Sequence, residues 1–117
     1  MSKSLKVVTI DEHWLKISGE INKETILRFV DLISEHPVPT DRVIHFDLSE
    51  ADIEDGLALV TTVNTIRALS AHLSSLWIYA APSVLRESLY DLGLLSGRHA
   101  IYLEEAEADI SYTHTLN

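Results

Sequence analysis

The stretch VIHFDLSEADIEDGL, Val43 to Leu57, holds the change of structure around which the rest of the chain is arranged. Val43 to Leu48 is apolar on both faces apart from His45, which suits a central strand covered by helices. A short acidic turn follows, and a long helix starts near Asp55-Gly56. Glu54 and Asp55 then stand where unpaired backbone N–H groups and the positive end of a helix dipole converge. Such a place ordinarily receives an anion. Here the chain supplies its own.

Upstream, Leu5 to Ile10 is β-branched and weakly alternating, an outer strand. Asp11-Glu12 turns the chain into a second strand, His13 to Ser18, with Leu15 and Ile17 on one face and Gly19 as its end; the two strands form a hairpin. Asn22 is placed to cap a helix whose Ile26, Phe29, Val30 and Ile33 recur at helical spacing. Pro37 and Pro39 stop it. Downstream, the helix from about Asp55 to His72 carries Leu59, Val63, Ile66 and Leu69 or Leu73 as its core stripe. Leu76 to Ala80 is a short apolar strand. Pro82-Ser83 opens a third helix with Leu85, Leu89 and Leu92 inward, Gly93 as its C′ residue and Leu94 as the accompanying apolar contact. Ala100 to Leu103 is a last strand, Glu104 to Ile110 one or two helical turns, and 111–117 a frayed tail.

The order is ββαβαβαβ, with a short terminal helix. It implies an α/β fold, a mixed sheet with right-handed crossovers in one domain with a core of about 5–110. Periodicity leaves open whether the helices lie on one face or both.

Composition removes several functions. The chain has 117 residues and no cysteine, so disulfides and thiolate chemistry are out and a reducing cytoplasm fits. Its net charge of −9 opposes nucleic acid and anionic membrane surfaces, both of which need Lys and Arg. The opening MSKSLKVVTI lacks the apolar run of a signal peptide, and no stretch reaches the roughly 18 apolar residues of a membrane span. A soluble, cytoplasmic protein is expected.

The candidate residues point to no reaction. The six histidines, His13, His36, His45, His72, His99 and His114, form no HxH or HxxxH pair, so no metal is expected. His45 reads as a hydrogen-bonded core or subsurface histidine. No GxSxG, Walker-type or GxGxxG pattern occurs. A two-carboxylate hydrolase at Glu54 and Asp55 would need a cleft that nothing predicts. Ser49, Thr61 and Thr62 lie near the acidic corner as turn or helix-surface hydroxyls, each a phosphoacceptor in the alternative. Gly56 permits close approach of a backbone or a phosphate. Trp14 and Trp77 read as half-exposed aromatics of the kind that marks a contact surface, with core packing the default for Trp77 in its apolar strand.

Three local patterns, in order, resemble the STAS domain family of anti-sigma-factor antagonists and their relatives. LKISGEIN (Leu15 to Asn22) is similar to the family's strand leading into helix one. VIHFDLSEADIEDGLALV (Val43 to Val60) is similar to the strand and helix-two start that carry D-S-S-G-L. APSVLRESLYDLGLL (Ala81 to Leu95) is similar to the third-helix pattern. Aligned on Gly56, Glu54 takes the place of the serine that partner kinases phosphorylate in switching members, and Ile53 and Asp55 take the flanking places. The resemblance therefore implies a non-catalytic regulator without a cofactor. It would bind a protein partner through Ser49, Asp52, Glu54, Asp55, Gly56 and Leu57, with Glu54 and Asp55 supplying permanently the −1.5 to −2 charges, approximately, that a phosphoserine supplies on demand. An anti-sigma factor or serine kinase and a STAS-containing scaffold are the implied partners, and a homodimer is compatible. The alternative is a STAS accessory subunit docking on the ATPase of an ABC-type, Mla-like lipid transporter. A nucleotide or other small-ligand binder is disfavoured, because the acidic corner repels phosphates.

Overall fold

A computed structural model describes residues 4–104. The elements are β1 (Lys6–Thr9), β2 (Trp14–Ile21), α1 (Ile26–Glu35), β3 (Val43–Ile53), α2 (Gly56–Ser70), β4 (Ser75–Tyr79), α3 (Ser83–Asp91) and β5 (Ile101–Glu104). The expected terminal helix and tail lie outside the described residues. The sheet runs β1-β2-β3-β4-β5, with β1 antiparallel to β2 and every later pair parallel.

This order answers what periodicity left open. From β2 to β5 each new strand is added on the same side of the last. Right-handed crossovers that always step in one direction place every connecting helix on the same face. The core agrees: Ile26, Phe29 and Ile33 of α1, Ile66 of α2 and Leu85 and Leu89 of α3 share one buried cluster with Leu15, Ile17, Ile44, Phe46, Leu76, Ile78 and Ile101 of the sheet. β3 is central, as its apolar run implied, but among the described residues helices cover it on one face only. Among the described strands the order never reverses, so they form no switch-point crevice of the kind that holds nucleotides in doubly wound sheets.

Several boundaries differ from the sequence reading, each for a physical reason. β2 does not end at Gly19. It continues to Ile21, and Gly19 (φ +94°) is where the chain before β1 crosses it: a Cβ there would lie 2.2 Å from the Ser4 carbonyl oxygen. β3 does not end at Leu48 but runs on to Ile53. Its inward residues are Ile44, Phe46, Leu48, Ala51 and Ile53, and the step of three from 48 to 51 marks a bulge. Asp47 holds the bulge, its Oδ1 accepting from the Ser49 amide (2.9 Å) and the Ser49 hydroxyl (2.7 Å). Asn22 is not the cap of α1. Its Oδ1 accepts from the Glu24 and Thr25 amides, making a turn that delays the helix to Ile26, with Thr25 at the N-cap.

On α2 the inward face is Ala58, Thr62, Val63, Ile66 and Ser70, and Leu59 and Leu69 flank it half-buried. α3 ends in a Schellman motif, with Leu94 N–H donating to Leu89 O and Gly93 N–H to Tyr90 O (both 3.0 Å). That turn sends Leu94 into the core and leaves Leu92, expected inside, 60% exposed.

Candidate functional site

The leading ends of α1 and α2 meet at the C-terminal ends of β2 and β3, and Glu54 and Asp55 join them. Asp55 is the N-cap of α2. Its Oδ1 accepts from the Ala58 amide (2.8 Å), and its Oδ2 accepts from the Lys23 amide in the β2–α1 turn (2.9 Å). Both oxygens are thus taken by backbone donors, one of them an otherwise orphaned helix N–H. Glu54 is exposed. Its amide donates to Ile21 O (3.0 Å), and its Oε1 accepts from Asn22 Nδ2 (2.9 Å). The two carboxylates are neighbours in sequence with different roles. Asp55 ties the corner together, and Glu54 faces outward.

Gly56 opens α2 on the surface, and a Cβ there would meet nothing within 4 Å. No neighbouring backbone requires this glycine. Beyond it Leu57 (61% exposed) and Val60 (58%) stand on the first two turns of α2, and Leu27 (75%) stands on the first turn of α1. Three large apolar side chains therefore surround an acidic corner, the pattern of a contact surface.

Other sequence candidates fall elsewhere. Ser49 is not in a turn; it is half-buried in the β3 bulge, with its hydroxyl committed to Asp47. Asp52 lies within β3, directly opposite Glu20 of β2. Thr62 is 1% exposed and faces the core, its hydroxyl without a partner among the described residues, so a kinase could not reach it. Thr61 lines a groove of about 540 Å³ between α1 and α2, together with Val30, Ile33, Ala68 and Leu69. No carboxylate lines that groove, and neither Glu54 nor Asp55 belongs to it. Among the described residues no group of three histidine or acidic side chains could hold a metal ion. No helix among them is long and apolar enough to cross a membrane.

The opposite face of the sheet carries what the sequence reading missed. Register sets Trp14 beside His45, His45 beside Trp77, and Trp77 beside Tyr102. The rings stack in that order at centroid separations of 4.4, 6.4 and 4.7 Å, with interplanar angles of 10°, 23° and 24°. Tyr79 packs on Trp14 at 5.0 Å, and its Oη lies 2.9 Å from His45 Nδ1. His45 is the partly buried, hydrogen-bonded histidine expected. Burial first, and then the nearby His13, hold its pKa below the usual 6.5. Burial raises the Tyr79 pKa above 10.0, with Glu104 adding to it. Trp77 is not core but half-exposed on this face, and Trp14, expected half-exposed, is 7% exposed under its neighbours' rings.

Comparison with known proteins gives a fold. A candidate anti-sigma factor antagonist from Thermotoga maritima superposes with a TM-score of 0.55, at 18% identity, over 96% of this chain and 92% of that one. The fold is STAS-like. No family model matches the sequence, and no curated protein matches it.

Proposed function

We propose that this chain is a non-catalytic regulatory module that binds a protein partner through the leading end of α2. The observation that carries this is Glu54: an outward carboxylate on the first-turn side of a helix, bordered by exposed Leu57, Val60 and Leu27. The shared fold with a candidate anti-sigma factor antagonist supports the reading. On the alignment that the sequence suggests, Glu54 occupies the phosphoacceptor place and cannot be phosphorylated. It is then a standing charge where a switch would carry one part of the time. The mimicry is partial. Asp55 commits both oxygens to backbone amides, so the outward acceptor left for a partner is the Glu54 carboxylate, against the three oxygens of a phosphoserine.

The test is Glu54→Ser. Calorimetric titration against a serine kinase of the anti-sigma type should give weak binding for the native chain and at least tenfold tighter binding for the variant. Phosphate should also be incorporated at position 54. Equal affinity and no incorporation would remove the proposal. Binding to an ABC-type ATPase, indifferent to the charge at position 54, would move the assignment to a transporter accessory.

A further inference from the structure

We propose that β1 is the docking edge for a second copy of this chain. Two β1 strands pair antiparallel about a two-fold axis at Val8 and join the two five-stranded sheets into one. β1 stands at the edge of the sheet. In its ladder with β2 the pairs Lys6–Ser18, Val7–Ile17, Val8–Lys16 and Thr9–Leu15 alternate between hydrogen-bonded and non-hydrogen-bonded. Ile10 N–H donates to Trp14 O (2.9 Å), which fixes the phase of that alternation. Lys6, Val8 and Ile10 therefore turn their backbone groups toward β2, and Val7 and Thr9 turn theirs outward. Among the described residues nothing pairs with those outward N–H and C=O groups. Exposed edges are ordinarily guarded by charge, proline or a bulge. Val7-Val8-Thr9 carries none of these, and Val8 is 49% exposed.

The edge is complementary to itself. Pairing centred on Val8 sets Val7 opposite Thr9 of the other copy, on both sides of the axis, so each outward donor meets an outward acceptor. Val8 meets Val8. Lys6 meets Ile10, with its ammonium beside the Asp11–Glu12 turn and not beside a second lysine. The helix layer agrees. α1 packs on β1 as well as on β2. A groove of about 460 Å³ follows the edge, with Val7 and Thr9 on one side and Leu32 and Glu35 on the other. Leu32, with Arg28 one turn before it and Glu35 one turn after, forms the flank of α1 turned away from α2, toward which Val30 and Ser34 point. The α2 corner therefore stays open to a partner of its own. α1 returns antiparallel to β2 and so runs in the direction of β1, and the axis that reverses β1 reverses α1 with it. That lays Leu32 toward Leu32 and Arg28 toward Glu35 of the other copy, with helix axes about 10 Å apart when α1 is centred over β1 and β2. A foreign strand could satisfy the same backbone groups. The opposition of Arg28 to Glu35, and of Lys6 to an acidic turn, belongs to the chain's own symmetry and selects a second copy. On the order of ten residues a side take part, about half of a standard interface, and the charge of −9 on each chain opposes close approach. The dimer is therefore weak and forms at high concentration.

Sedimentation equilibrium and amide hydrogen exchange, both over a concentration series into the millimolar range, test this. The chain should pass from monomer to dimer. Exchange at the Val7 and Thr9 amides should slow severalfold in step, whereas the Val8 amide, already turned toward β2, should change little. Thr9→Pro removes an outward donor from an edge position where proline is tolerated, and should weaken dimerisation at least tenfold. Glu35→Arg sets arginine against arginine across the axis and should weaken it at least fivefold. The double variant Arg28→Glu/Glu35→Arg restores opposite charges there and should recover what the single variant loses. A far-UV circular dichroism spectrum matching the native chain shows that each variant is folded. The proposal is overturned by a chain that stays monomeric throughout the series, which would leave the edge to an extended segment of another protein. It is overturned equally by a dimer whose Val7 and Thr9 amides exchange as in the monomer, by undiminished dimerisation of folded Thr9→Pro, or by a charge swap that recovers nothing.

Discussion

The two faces of one sheet are built from the same strands and follow different rules. On the helix-covered face Leu15, Ile17, Ile44, Phe46, Leu76 and Ile78 are almost wholly buried, and three helices complete the core. On the other face the alternate residues, Trp14, His45, Trp77, Tyr79 and Tyr102, cover one another with their rings. The first face is held by burial against neighbouring layers and the second by stacking within one layer. Removing one side chain from each should separate them. Phe46→Ala opens a void in a packed core and should cost about 3–5 kcal/mol. Trp77→Ala removes ring contacts with Tyr102 and His45 from a half-exposed site and should cost about 1–2 kcal/mol. Urea unfolding of both variants measures the difference. Equal losses would mean that the ladder is as much a core as the helical side.

The acidic corner repeats the contrast on a smaller scale, between a residue spent on the fold and one left to the surface. Asp55→Ala deprives both the α2 cap and the β2–α1 turn of an acceptor and should cost about 1–2 kcal/mol. Glu54→Gln keeps an acceptor for Asn22 at an exposed position and should change stability by less than about 0.5 kcal/mol. Thermal melts of the pair check the division. A Glu54 variant as damaged as the Asp55 variant would make Glu54 structural and would weaken its claim to a partner.

The sequence shows the two faces unequally. Helical spacing exposed Ile26, Phe29 and Ile33, and Leu85 and Leu89, because a helix face repeats within a few residues. Asp55 was legible as a cap because cap chemistry is local. The extension of β3 was not: the bulge at Ser49 breaks the period of two, and polar residues on the uncovered face imitate a turn. On α2 helical spacing finds Val63 and Ile66, which are buried, but not the small Ala58, Thr62 and Ser70 that complete the buried face and leave Leu59 and Leu69 half-buried at its borders. The ladder was hidden for another reason. Its members come from four strands, and only the register brings them together. A signal existed, since Trp14-Leu15, His45-Phe46, Trp77-Ile78 and Tyr102-Leu103 each set an aromatic or imidazole ring immediately before an inward aliphatic or phenyl group. Periodicity within one strand does not use that signal; alignment of the strands against one another does.

The last contrast is nil at neutral pH and opens only on acidification. In the folded chain the His45 pKa lies below 6.5, chiefly because the ring is partly buried among Trp14, Trp77 and Tyr79. His13 adds to the lowering, and Asp11 and Asp41 oppose it. Above pH 6.5 the imidazole is neutral in both folded and unfolded chains and contributes no pH dependence. As pH falls through 6.5 the unfolded chain takes up a proton that the folded chain refuses, so stability must fall with pH and level off only once the folded-state pKa has been passed. Asp41 acts in a separate window. Its pKa is held below 3.8, first by the Val43 amide, so the stability it supplies is lost only below that value. Urea midpoints measured at pH 7.5 and pH 5.5 should therefore show the native chain weakening, and His45→Phe, which keeps a ring in the ladder, weakening less. Identical losses in the two proteins would place the titrating group elsewhere and leave the ladder as a stack whose central ring is indifferent to charge.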